Sequence, residues 1–598
     1  MALLENVKTP ADIKKLSVKE LELLAEEIRA LIIETVTKNG GHLSPNLGMV
    51  ETTLALYYVF DFSCDKLLFD VGHQSYTHKI LNEGAEKFAT LRTNGGISGF
   101  PDPTENDYDA FIAGHAGNSI GAGLGMCFSR DLLKENYTVA CVVGDASIMN
   151  GVSLEAITEK NKKPNNFVVI LNDNGMSISK NENGFYKSLI KSTTKKPYIK
   201  FKGGAKKLFG KSFLGNALRS FKRFLRRLFN PNHIIDDLGF KYFGTVDGHN
   251  LKELIKSFNR VKNYGEAVLI TVKTIKGKGF IEAENAPSKF HGIGKNLTVS
   301  QNDCSAKIGQ TLIDLASKDD KIVALTAGMT DGVGLARYAE TYPNRFIDVG
   351  ISEELAVLKS AGIAKAGLKP CVFIYSTFLQ RAYDEIMHDI ALQNLPVIFC
   401  IDRAGLVGSD GKTHQGVYDL SYLRHIPNLS IFAPKDTVEL SSALKFALEQ
   451  NSPIAIRYPN GKVEDFTSHT EFSFSWETVK DGADAVVLAC GNRAVKIALE
   501  LEKHGVNAKI INARTVKPLD SSVLSQIENE LIITVEDNAL LGGFGSAVSE
   551  YFVQNKKTAK IISFGIKDEF VSHGTVEKQL EDNGVTAKNI ALCIKESR

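Results

Sequence analysis

Two clusters of polar residues follow apolar stretches of strand-like composition, and their residue types suit ligand binding. Asp145 follows the apolar run 139–143 after a single glycine, and the sequence Asn-Asp-Asn at 172–174 comes after the apolar run 167–171. A helix-like segment around residues 154–160 lies between the two runs, which is the pattern of a βαβ unit. Because parallel strands end on the same edge of their sheet, we expect these polar side chains to lie together at that edge.

The oxygen-rich character of this edge predicts a binding site for a divalent cation. Magnesium prefers oxygen ligands and usually completes its shell with phosphate and water, so a site with few protein ligands indicates a diphosphate-bearing partner. The turn at Gly144 lets backbone N–H groups approach such a phosphate, and a helix that starts after Ser147 adds the positive end of its dipole. The alternative is an ordinary sheet edge with Asx turns. Both clusters together, at this separation, favour the binding site.

A further polar group lies in a glycine-rich loop that follows a later strand-like run. Arg403, Asp410 and His414 occur in the stretch IDRAGLVGSDGKTHQG, and a plain connection between elements would not need such a cluster. The planar guanidinium groups of Arg403 and Arg457 suit a phosphate, although a single arginine is more often a solvated surface residue. Arg403 and Arg457 are therefore candidates for binding a phosphate group.

The elements that must position these residues are strands that alternate with helices in three series. The first series contains the βαβ unit and is preceded by a predicted helix over 16–38, with Ser17 as its cap and Glu20 completing a capping box. The second contains KIVALTAG, RFIDVGISEE, PCVFIYSTF, PVIFCIDRAG and SPIAIRYP, and the third contains AVVLACGN, NAKIINAR, LIITVEDN and KIISFGI. Three such series predict three α/β domains with mostly parallel sheets. The predicted boundaries are 1–300, 301–475 and 476–598.

The bulk composition excludes several classes of protein. The 598 residues are 43% hydrophobic and 23% charged, as in ordinary globular proteins, and the net charge of +2 argues against a nucleic-acid partner. The eight cysteines contain no CxxC pair, so we expect buried reduced thiols and not disulfides or a zinc site. The sequence shows no signal peptide and no apolar run of membrane-spanning length. We therefore expect a cytoplasmic protein without stable membrane insertion.

One segment differs in character from the rest of the chain. Residues 187–227 contain fourteen lysines and arginines, and no acidic residue occurs between Glu182 and Asp236. Apolar residues over 214–228 recur at helical spacing, which predicts a basic amphipathic helix. One hypothesis is contact with an anionic membrane surface or an acidic partner. The alternative, which we prefer, is a helix that covers the apolar rim of the site and keeps a solvated basic face.

The residues GDAS and NDNGM at the βαβ edge resemble the magnesium and thiamine diphosphate motif of the transketolase superfamily. The resemblance implies that Asp145 and Asn174 bind the metal through their side chains and that Met176 binds it through its backbone carbonyl. It also implies cofactor contacts at Ala146 and Ser147. Ala146 stands where the superfamily usually has a second glycine.

Further segments resemble one family within that superfamily. GGHLSPNLG, DVGHQSYTHKIL, FGTVDGHN, KGKGF, YSTFLQRAYDE, IDRAGLVGSDGKTHQG and EDNALLGGFGSAV strongly resemble the 1-deoxy-D-xylulose-5-phosphate synthase family, and they span nearly the whole chain. The resemblance implies decarboxylation of pyruvate and transfer of its remaining two carbons to D-glyceraldehyde 3-phosphate, with thiamine diphosphate and Mg²⁺ as cofactors. The implied product feeds isoprenoid, thiamine and pyridoxal synthesis. The resemblance also implies a homodimer.

The same resemblance implies roles for the residues that match the family's motifs. The implied cofactor contacts are His73, Gly114, His115, Ala116, Asp145, Ala146, Ser147, Asn174, Met176, Lys278, Phe280, Glu353 and Phe378. The implied proton-transfer residues are His42, His73 and His414. The implied substrate contacts are Tyr375, Arg403, Asp410, His414 and Arg457. Each histidine has a structural alternative, His291 is weighed evenly between the two, and Phe378 has the alternative of a core aromatic.

Glu353 is the residue for which the implied chemistry makes the strictest demand. Thiamine chemistry needs a carboxylic acid that bonds N1′ of the aminopyrimidine ring, and an apolar place raises the pKa of such an acid so that it can share a proton. Glu353 in DVGISEELAV matches the family's acid. The alternative is an acidic helix N-terminus with Ser352 as its cap. The thiamine motif earlier in the chain favours the catalytic role.

The chain also departs from the family's usual letters at three places. SEELAV stands where AEQHAV is usual, which puts Glu354 and Leu355 beside the acid. Ala116 replaces a residue with a hydroxyl, and Asn460 replaces an arginine. Two other functions are therefore kept beside the synthase. One is ketol transfer from a sugar phosphate, and the other is a cofactor-binding but catalytically weak protein that uses its basic segment for a partner or a membrane.

Overall fold

The computed structural model describes residues 3–159, 162–175, 233–297, 303–467 and 471–597. The predicted metal ligand Met176 and the predicted basic helix within 187–227 lie outside these ranges. The described chain divides into two compact units. The first comprises residues 1–91 and 97–299, and the second comprises residues 92–96 and 300–598.

The first unit contains one five-stranded sheet. Its strands are β1 Lys66–Phe69, β2 Val139–Gly144, β3 Phe167–Asp173, β4 Lys241–Asp247 and β5 Val268–Lys273. They are ordered β1-β2-β3-β5-β4, and every neighbouring pair is parallel. The helices of this unit are α1 Pro10–Ile13, α2 Val18–Asn39, α3 Ser44–Leu47, α4 Val50–Val59, α5 Tyr76–Phe88, α6 Ser119–Leu133, α7 Gly151–Thr158, α8 His233–Asp237, α9 Leu251–Lys262 and α10 Ile281–Asn285.

The predicted capping box at the start of α2 is confirmed. The Ser17 hydroxyl accepts a hydrogen bond from the Glu20 N–H, and the Glu20 carboxylate accepts one from the Ser17 N–H. The helix buries Leu21, Leu24 and Ile28 at the spacing that the sequence predicts. The predicted βαβ unit is also confirmed, although α7 begins at Gly151 and not directly after Ser147. The Asn150 side chain caps α7, and a short 3₁₀ turn over Ser147–Met149 precedes it.

The second unit contains two sheets. Its strands are β6 Ile322–Thr326, β7 Phe346–Asp348, β8 Lys369–Tyr375, β9 Ile398–Asp402, β10 Ser430–Phe432, β11 Ile454–Arg457, β12 Glu477–Lys480, β13 Val486–Cys490, β14 Lys509–Asn512, β15 Thr515–Lys517, β16 Leu531–Ala539 and β17 Lys560–Ile566. One sheet is ordered β15-β10-β11-β9-β8-β6-β7 and the other β12-β14-β13-β16-β17. Only the edge pairs β10–β15 and β12–β14 are antiparallel among the strands described here.

The helices of the second unit lie between these strands along the chain. They are α11 Asp303–Ala316, α12 Ala336–Thr341, α13 Glu353–Lys365, α14 Ser376–Leu379, α15 Asp419–Leu423, α16 Thr437–Leu448, α17 Asn492–Leu499, α18 Ser521–Gln526, α19 Phe544–Gln554, α20 Val576–Asp582 and α21 Ala587–Ser597, with a π-helical turn over Glu385–Ala391. The strands β6, β9 and β11 are buried along their length, as expected for parallel strands covered on both faces. The predicted α/β class is confirmed.

Strand β15 explains why the chain forms two units although its sequence reads as three α/β series. The strand follows β14 of the third sheet along the chain but pairs with β10 of the second sheet. One continuous hydrophobic cluster contains Phe432 of the second sheet together with Leu488 and Ile511 of the third. The two units divide between residues 299 and 300, and the predicted domain boundaries near 300 and at 475 stay predictions. In the ranges that the structure describes, no helix is both long and apolar enough to cross a membrane.

Candidate active site

The polar residues of the βαβ unit lie at one edge of the first sheet. Gly144 on β2 is in register with Asn172 on β3, and the Asp145 N–H donates to the Asn172 carbonyl at 3.2 Å. Asp145 is 2% exposed, and Asn174, which directly follows the last residue of β3, is half-buried. Ala146 has φ −78° and ψ −40°, a right-handed conformation that alanine adopts as readily as other residues. The backbone at this position therefore does not require the glycine that is usual in the superfamily.

A loop over Gly114–Gly117 lies beside this edge and is fixed by Asp70, which sequence reasoning did not single out. Asp70 follows β1 and is fully buried, and its carboxylate accepts hydrogen bonds from the Gly117 N–H at 2.8 Å and from the Ser119 N–H and hydroxyl at 3.1 and 2.8 Å. Gly117 has φ +88°, and a Cβ at that position would stand 2.3 Å from Asn150 Oδ1. Only glycine therefore lets this loop approach the turn that follows Asp145.

Three histidines form a cluster in the first unit. The ring centroids of His42 and His73 are 5.9 Å apart, those of His42 and His291 are 5.8 Å apart, and those of His73 and His291 are 5.1 Å apart. The Asn46 amide joins two of the segments, because it donates to the carbonyls of both His42 and His73 at 2.7 Å. A backbone bridge between Gly41 and Ile293 brings the segment that carries His291 to the same place.

Burial keeps two of these histidines neutral. It lowers the pKa values of His73 and His291 well below the ordinary range, and the neighbouring charge of Lys276 and the other rings lower them further. The Nδ1 atoms of His73 and His291 have no hydrogen-bond partner among the described residues. Neutral rings with an open nitrogen can accept a proton or a hydrogen bond from a substrate. The structure places His291 beside His42 and His73, whereas its sequence context did not decide between a functional and a structural role.

Lys276 joins the histidine cluster to Asp145. Its side chain is 6% exposed, and burial lowers its pKa to about 8 against the attraction of Asp145. The predicted cofactor residue Lys278 is only half-buried, two residues further along the same loop, and Phe280 packs edge-to-face against Phe290. The signal that would have found Lys276 is the KGKG motif, in which both lysines are alternatives and only the fold distinguishes them.

The second unit holds the remaining predicted residues, and Glu353 is the first residue of α13. Glu353 is 3% exposed, and its Oε2 atom has no hydrogen-bond partner among the described residues. Burial raises the pKa of this carboxyl to about 7, Arg381 opposes the increase, and Glu354 adds to it. Ser352 stands at the N-cap position of α13 with Glu353 and Glu354 in the first turn, as the alternative predicts, but the Ser352 side chain makes no capping hydrogen bond. A buried acid with an open oxygen and a raised pKa matches the demand of the implied cofactor.

Aromatic and charged residues surround the glycine-rich loop of this unit. Phe378 stacks on Tyr375 with 5.8 Å between ring centroids and meets His414 edge-to-face at 5.6 Å. Arg403 is in the left-handed region at φ +56°, and its guanidinium lies 3.9 Å above the Tyr375 ring. A non-glycine residue in this region is strained, and such strain concentrates at functional sites. The Arg403 Nε atom has no hydrogen-bond partner within the described part of the chain.

Two other arginines pair with carboxylates that the sequence did not indicate as their partners. Arg457 is buried, its Nε and Nη2 donate to the Asp419 carboxylate at 2.7 and 3.1 Å, and Nη2 also donates to the Asp537 carbonyl at 3.1 Å. This geometry favours a structural role for Arg457 over the predicted phosphate contact. Arg92, which the sequence did not indicate, forms an ion pair with Asp410 and donates to the Ser409 hydroxyl at 3.3 Å. Residues 92–96 belong to the second unit, so this contact lies within that unit.

The residues present fit thiamine diphosphate and a magnesium ion. Asp145 and Asn174 supply carboxylate and amide oxygens at the sheet edge, and the Gly114–Gly117 loop is shaped by a glycine that a side chain could not replace. The open oxygen of Glu353 meets the requirement for the aminopyrimidine. The third predicted ligand, Met176, lies outside the described residues. The departures Glu354 and Leu355 lie on α13, where Leu355 is 46% exposed and Glu354 half-buried.

Comparisons with known proteins cover nearly the whole chain. A family model described as 1-deoxy-D-xylulose-5-phosphate synthase matches residues 4–274, one described as transketolase, pyrimidine binding domain, matches residues 301–465, and one described as transketolase, C-terminal domain, matches residues 475–590. The 1-deoxy-D-xylulose-5-phosphate synthase of Clostridium tetani (strain Massachusetts / E88) is 44% identical over 614 residues, which cover 98% of this chain and 98% of that protein.

A second relative and a solved structure are also similar to the chain over nearly its whole length. The 1-deoxy-D-xylulose-5-phosphate synthase of Clostridium acetobutylicum is 43% identical over 595 residues, which cover 96% of each chain. A solved structure of transketolase from Campylobacter jejuni subsp. jejuni NCTC 11168 is 18% identical, covers 97% of this chain and 100% of that chain, and has a TM-score of 0.43. The family assignment rests on the sequence matches.

Proposed function

The chain belongs to the 1-deoxy-D-xylulose-5-phosphate synthase family, and from that premise we propose that it decarboxylates pyruvate and joins the remaining two carbons to D-glyceraldehyde 3-phosphate. It is a thiamine diphosphate-dependent transferase of the transketolase superfamily. The product would feed isoprenoid synthesis. The structural observation that supports the proposal most directly is the convergence of the histidine cluster, Lys276 and Asp145 in the first unit.

Residues of the first unit would hold the cofactor's charged end. Asp145 and Asn174, with the carbonyl of Met176, would bind Mg²⁺, and the backbone of the Gly114–Gly117 loop would approach the diphosphate. Lys276, buried beside Asp145, would add a positive charge for the same anion. When bound, thiamine diphosphate supplies an acidic ring carbon that takes up the two-carbon unit of pyruvate.

Glu353 would hold the proton that cofactor activation needs. Its Oε2 atom is open and buried, and a pKa of about 7 allows the carboxyl to give up and regain a proton near neutral pH. The side chain is 3% exposed, so bulk water has little access to this carboxyl. This role is the one that the sequence predicts for Glu353.

His42, His73 and His291 would carry protons at the reacting carbons. His73 and His291 are neutral at pH 7 because burial lowers their pKa values, so each can accept a proton at Nδ1. In the second unit His414 packs against Phe378 and approaches the Thr413 hydroxyl with Nδ1 at 2.9 Å. We assign His414 to the binding of the acceptor substrate, D-glyceraldehyde 3-phosphate, together with Tyr375.

Arg403 would bind the phosphate of the acceptor. Its fork is fixed over Tyr375, and its Nε is open, which suits a phosphate oxygen. Asp410 would contact a substrate hydroxyl, and its ion pair with Arg92 fixes the loop that carries it. The contact predicted for Arg457 is not retained in this proposal because Asp419 occupies its guanidinium.

We also propose a homodimer in the cytoplasm. One face of α6 is apolar, exposed and free of bulky charge, with Gly121, Gly125, Phe128 and Leu132 on one stripe and Phe128 and Leu132 each 71% exposed. The stripe spans three helical turns, and its glycines let a second helix approach closely, so a second copy of the chain is the partner that we assign. All eight cysteines lie in described ranges as free thiols, as in a reducing compartment.

The proposed reaction is tested by carbon dioxide release. Purified protein with thiamine diphosphate and Mg²⁺ is given labelled pyruvate, with and without D-glyceraldehyde 3-phosphate, and the products are identified by mass spectrometry. We expect acceptor-stimulated release and a five-carbon ketose phosphate. In a parallel reaction with a ketose phosphate in place of pyruvate, a five-carbon product without carbon dioxide, together with no release from pyruvate, would instead indicate ketol transfer. Cofactor binding without turnover of either donor would indicate a catalytically weak protein. Either result would overturn the proposal.

A further inference from the structure

A chain of charged and polar side chains links four segments of the first unit and ends at the loop that carries Lys276. Arg29 on α2 donates from Nη2 to Glu51 Oε1 at 2.6 Å, and Glu51 on α4 contacts His249 Nδ1 through Oε2 at 3.1 Å. The Ile275 N–H donates to His249 Nε2 at 2.9 Å. Arg29, Glu51 and His249 side chains are only 11 to 13% exposed. We call this set the Arg29–Ile275 relay.

The direction of each hydrogen bond fixes the tautomer of His249. A backbone N–H can only donate, so His249 Nε2 must be the acceptor and carries no proton. The proton of the neutral ring is therefore on Nδ1, which donates to the Glu51 carboxylate. Glu51 in turn shares its other oxygen with Arg29, so its buried charge is paired. The relay thus has one consistent arrangement of donors and acceptors from α2 to the loop after β5.

The segment Thr274–Gly277 is held on both sides of Lys276. Before it, the Thr274 hydroxyl donates to Asn172 Oδ1 at 2.6 Å, and the Ile275 N–H is held by His249. After it, the Gly277 N–H donates to the Ser44 carbonyl at 2.8 Å. Of these contacts, the one to His249 joins a titratable side chain to the backbone of Ile275, the residue next to Lys276.

Close packing makes the loop dependent on that contact. A Cβ at Gly48 would stand 2.9 Å from the Ile275 carbonyl oxygen, so α3 and the loop already touch. A Cβ at Gly277 would stand 2.5 Å from the Ala283 carbonyl carbon, and its φ is +88°. The loop can therefore move only away from these neighbours, and the Ile275–His249 hydrogen bond opposes that movement.

We propose that His249 is a positioning residue, which holds Lys276 toward the anion that binds beside Asp145. The inference rests on the proposed function for the identity of that anion, which is either the cofactor diphosphate or the carboxylate of pyruvate. His249 itself acts through the backbone of Ile275, and Glu51 keeps its ring in the required tautomer. Residues of this kind support binding groups without touching the ligand, and their loss costs affinity by about 10- to 100-fold.

A double-mutant cycle on His249 and Lys276 tests the proposal. Affinity for thiamine diphosphate with Mg²⁺ is measured by calorimetry, and KM for pyruvate by turnover, for wild type, H249A, K276A and the double variant. We expect H249A either to weaken the affinity for thiamine diphosphate or to raise the KM for pyruvate about tenfold. In that parameter the double variant should differ from the wild type no more than K276A alone does. The parameter that shows this coupling identifies the anion. Additive losses in both parameters would overturn the proposal.

Three measurements separate positioning from a general loss of stability. H249Q presents an amide oxygen to Ile275 and an amide N–H to Glu51, and we expect it to restore the affinity lost in H249A. Hydrogen exchange of the amides at 275–277 should accelerate in H249A and not in H388A, a control at an exposed histidine of the second unit. Nitrogen NMR should report the Nδ1–H tautomer for His249; the Nε2–H tautomer would contradict the relay.

Only the KM measurement depends on turnover of the proposed reaction. Cofactor affinity, hydrogen exchange and the tautomer are all measured on protein that performs no catalysis. If the wild type binds thiamine diphosphate but releases no carbon dioxide from pyruvate, the proposed function fails and the positioning role can still stand. If coupling is absent while the wild type is active, the positioning role alone is overturned.

Discussion

Glu353 has a carboxyl group whose protonation can be tested apart from catalysis. Burial raises its pKa from the ordinary 4.5 to about 7, so the native state binds a proton that the unfolded state has lost between these values. The stability that this proton contributes is fully present below pH 4.5 and is lost as the pH rises through about 7. The E353Q side chain cannot ionise. The free energy of unfolding of the cofactor-free variant, relative to that of the wild type, should therefore increase by about 2 to 3 kcal/mol from pH 5 to pH 8.

The measurement is the free energy of unfolding in urea for both proteins at the two pH values. E135Q, which alters an exposed carboxylate in the first unit, is the control and should show no such gain. Turnover of E353Q with pyruvate should fall by about 10²- to 10⁴-fold, the usual cost of losing an acid–base group. A gain that does not change with pH would show that Glu353 is already ionised in the native protein.

The sequence indicates candidate residues that belong to a motif and does not indicate those that stand out only through their neighbours in the fold. Asp145 and Glu353 are predicted because a strand end and a family motif point to them, and their roles stay predictions. Lys276 and Arg92 were missed because their significance comes from burial beside Asp145 and from pairing with Asp410. For Arg457 the residue type suggested a phosphate site, whereas the fold supplies Asp419 as its partner.

At the scale of elements, the carboxylate of Asp70, which follows β1, holds the Gly114–Gly117 loop that precedes α6. Asp70 Oδ1 accepts from the Gly117 N–H, and Oδ2 accepts from the Ser119 N–H and hydroxyl. In D70N one of the two oxygens becomes an amide that cannot accept, so at least one buried backbone N–H loses its partner at a cost of about 1 to 3 kcal/mol. Because this loop contains the predicted cofactor contacts at Gly114–Ala116, we expect the affinity for thiamine diphosphate to fall about tenfold, as measured by calorimetry.

A matched variant tests whether the position of the carboxylate matters. D61N makes the same chemical change in the same unit, where Asp61 is exposed and accepts from the N–H and hydroxyl of Ser63. We expect D61N to bind the cofactor as the wild type does. Equal affinity in D70N and the wild type would mean that the Gly114–Gly117 loop does not need Asp70 to take its bound conformation.

Local patterns predicted the elements well where the pattern and the fold agree. The capping box at Ser17 and the strands around Asp145 are in the structure because hydrogen bonds between near neighbours determine them. The short strands β10, β12 and β15 were not predicted. Each has three or four residues at or near a sheet edge, and its pairing is set by a distant partner and not by its own residues.

At the scale of the whole molecule, β15 shows why sequence series are an incomplete guide to units. Its residues belong to the third series along the chain, but they complete the second sheet beside β10. Such an exchange leaves no periodic signal, because a three-residue strand is too short to show one. The family-level assignment does not depend on it, since the sequence matches cover both units.

The exposed stripe of α6 allows the proposed homodimer to be tested by mutation. Burying Phe128 and Leu132 against a second copy would remove two large apolar side chains from water, each worth about 1.5 to 3 kcal/mol. Charges at both positions, in the variant F128D/L132D, should therefore convert a particle of twice the 65.4 kDa chain mass into one of a single chain mass. Sedimentation velocity measures this mass directly.

The control lies on the same helix but off the stripe. Leu133 is 66% exposed and points about a third of a turn away from Leu132's face, because successive helical residues are separated by about 100°. L133D adds a charge to an equally exposed leucine, so it should leave the assembly intact if the stripe is the interface. Dissociation in both variants would indicate a broad effect of charge on α6, and an unchanged mass in F128D/L132D would assign the interface to another surface.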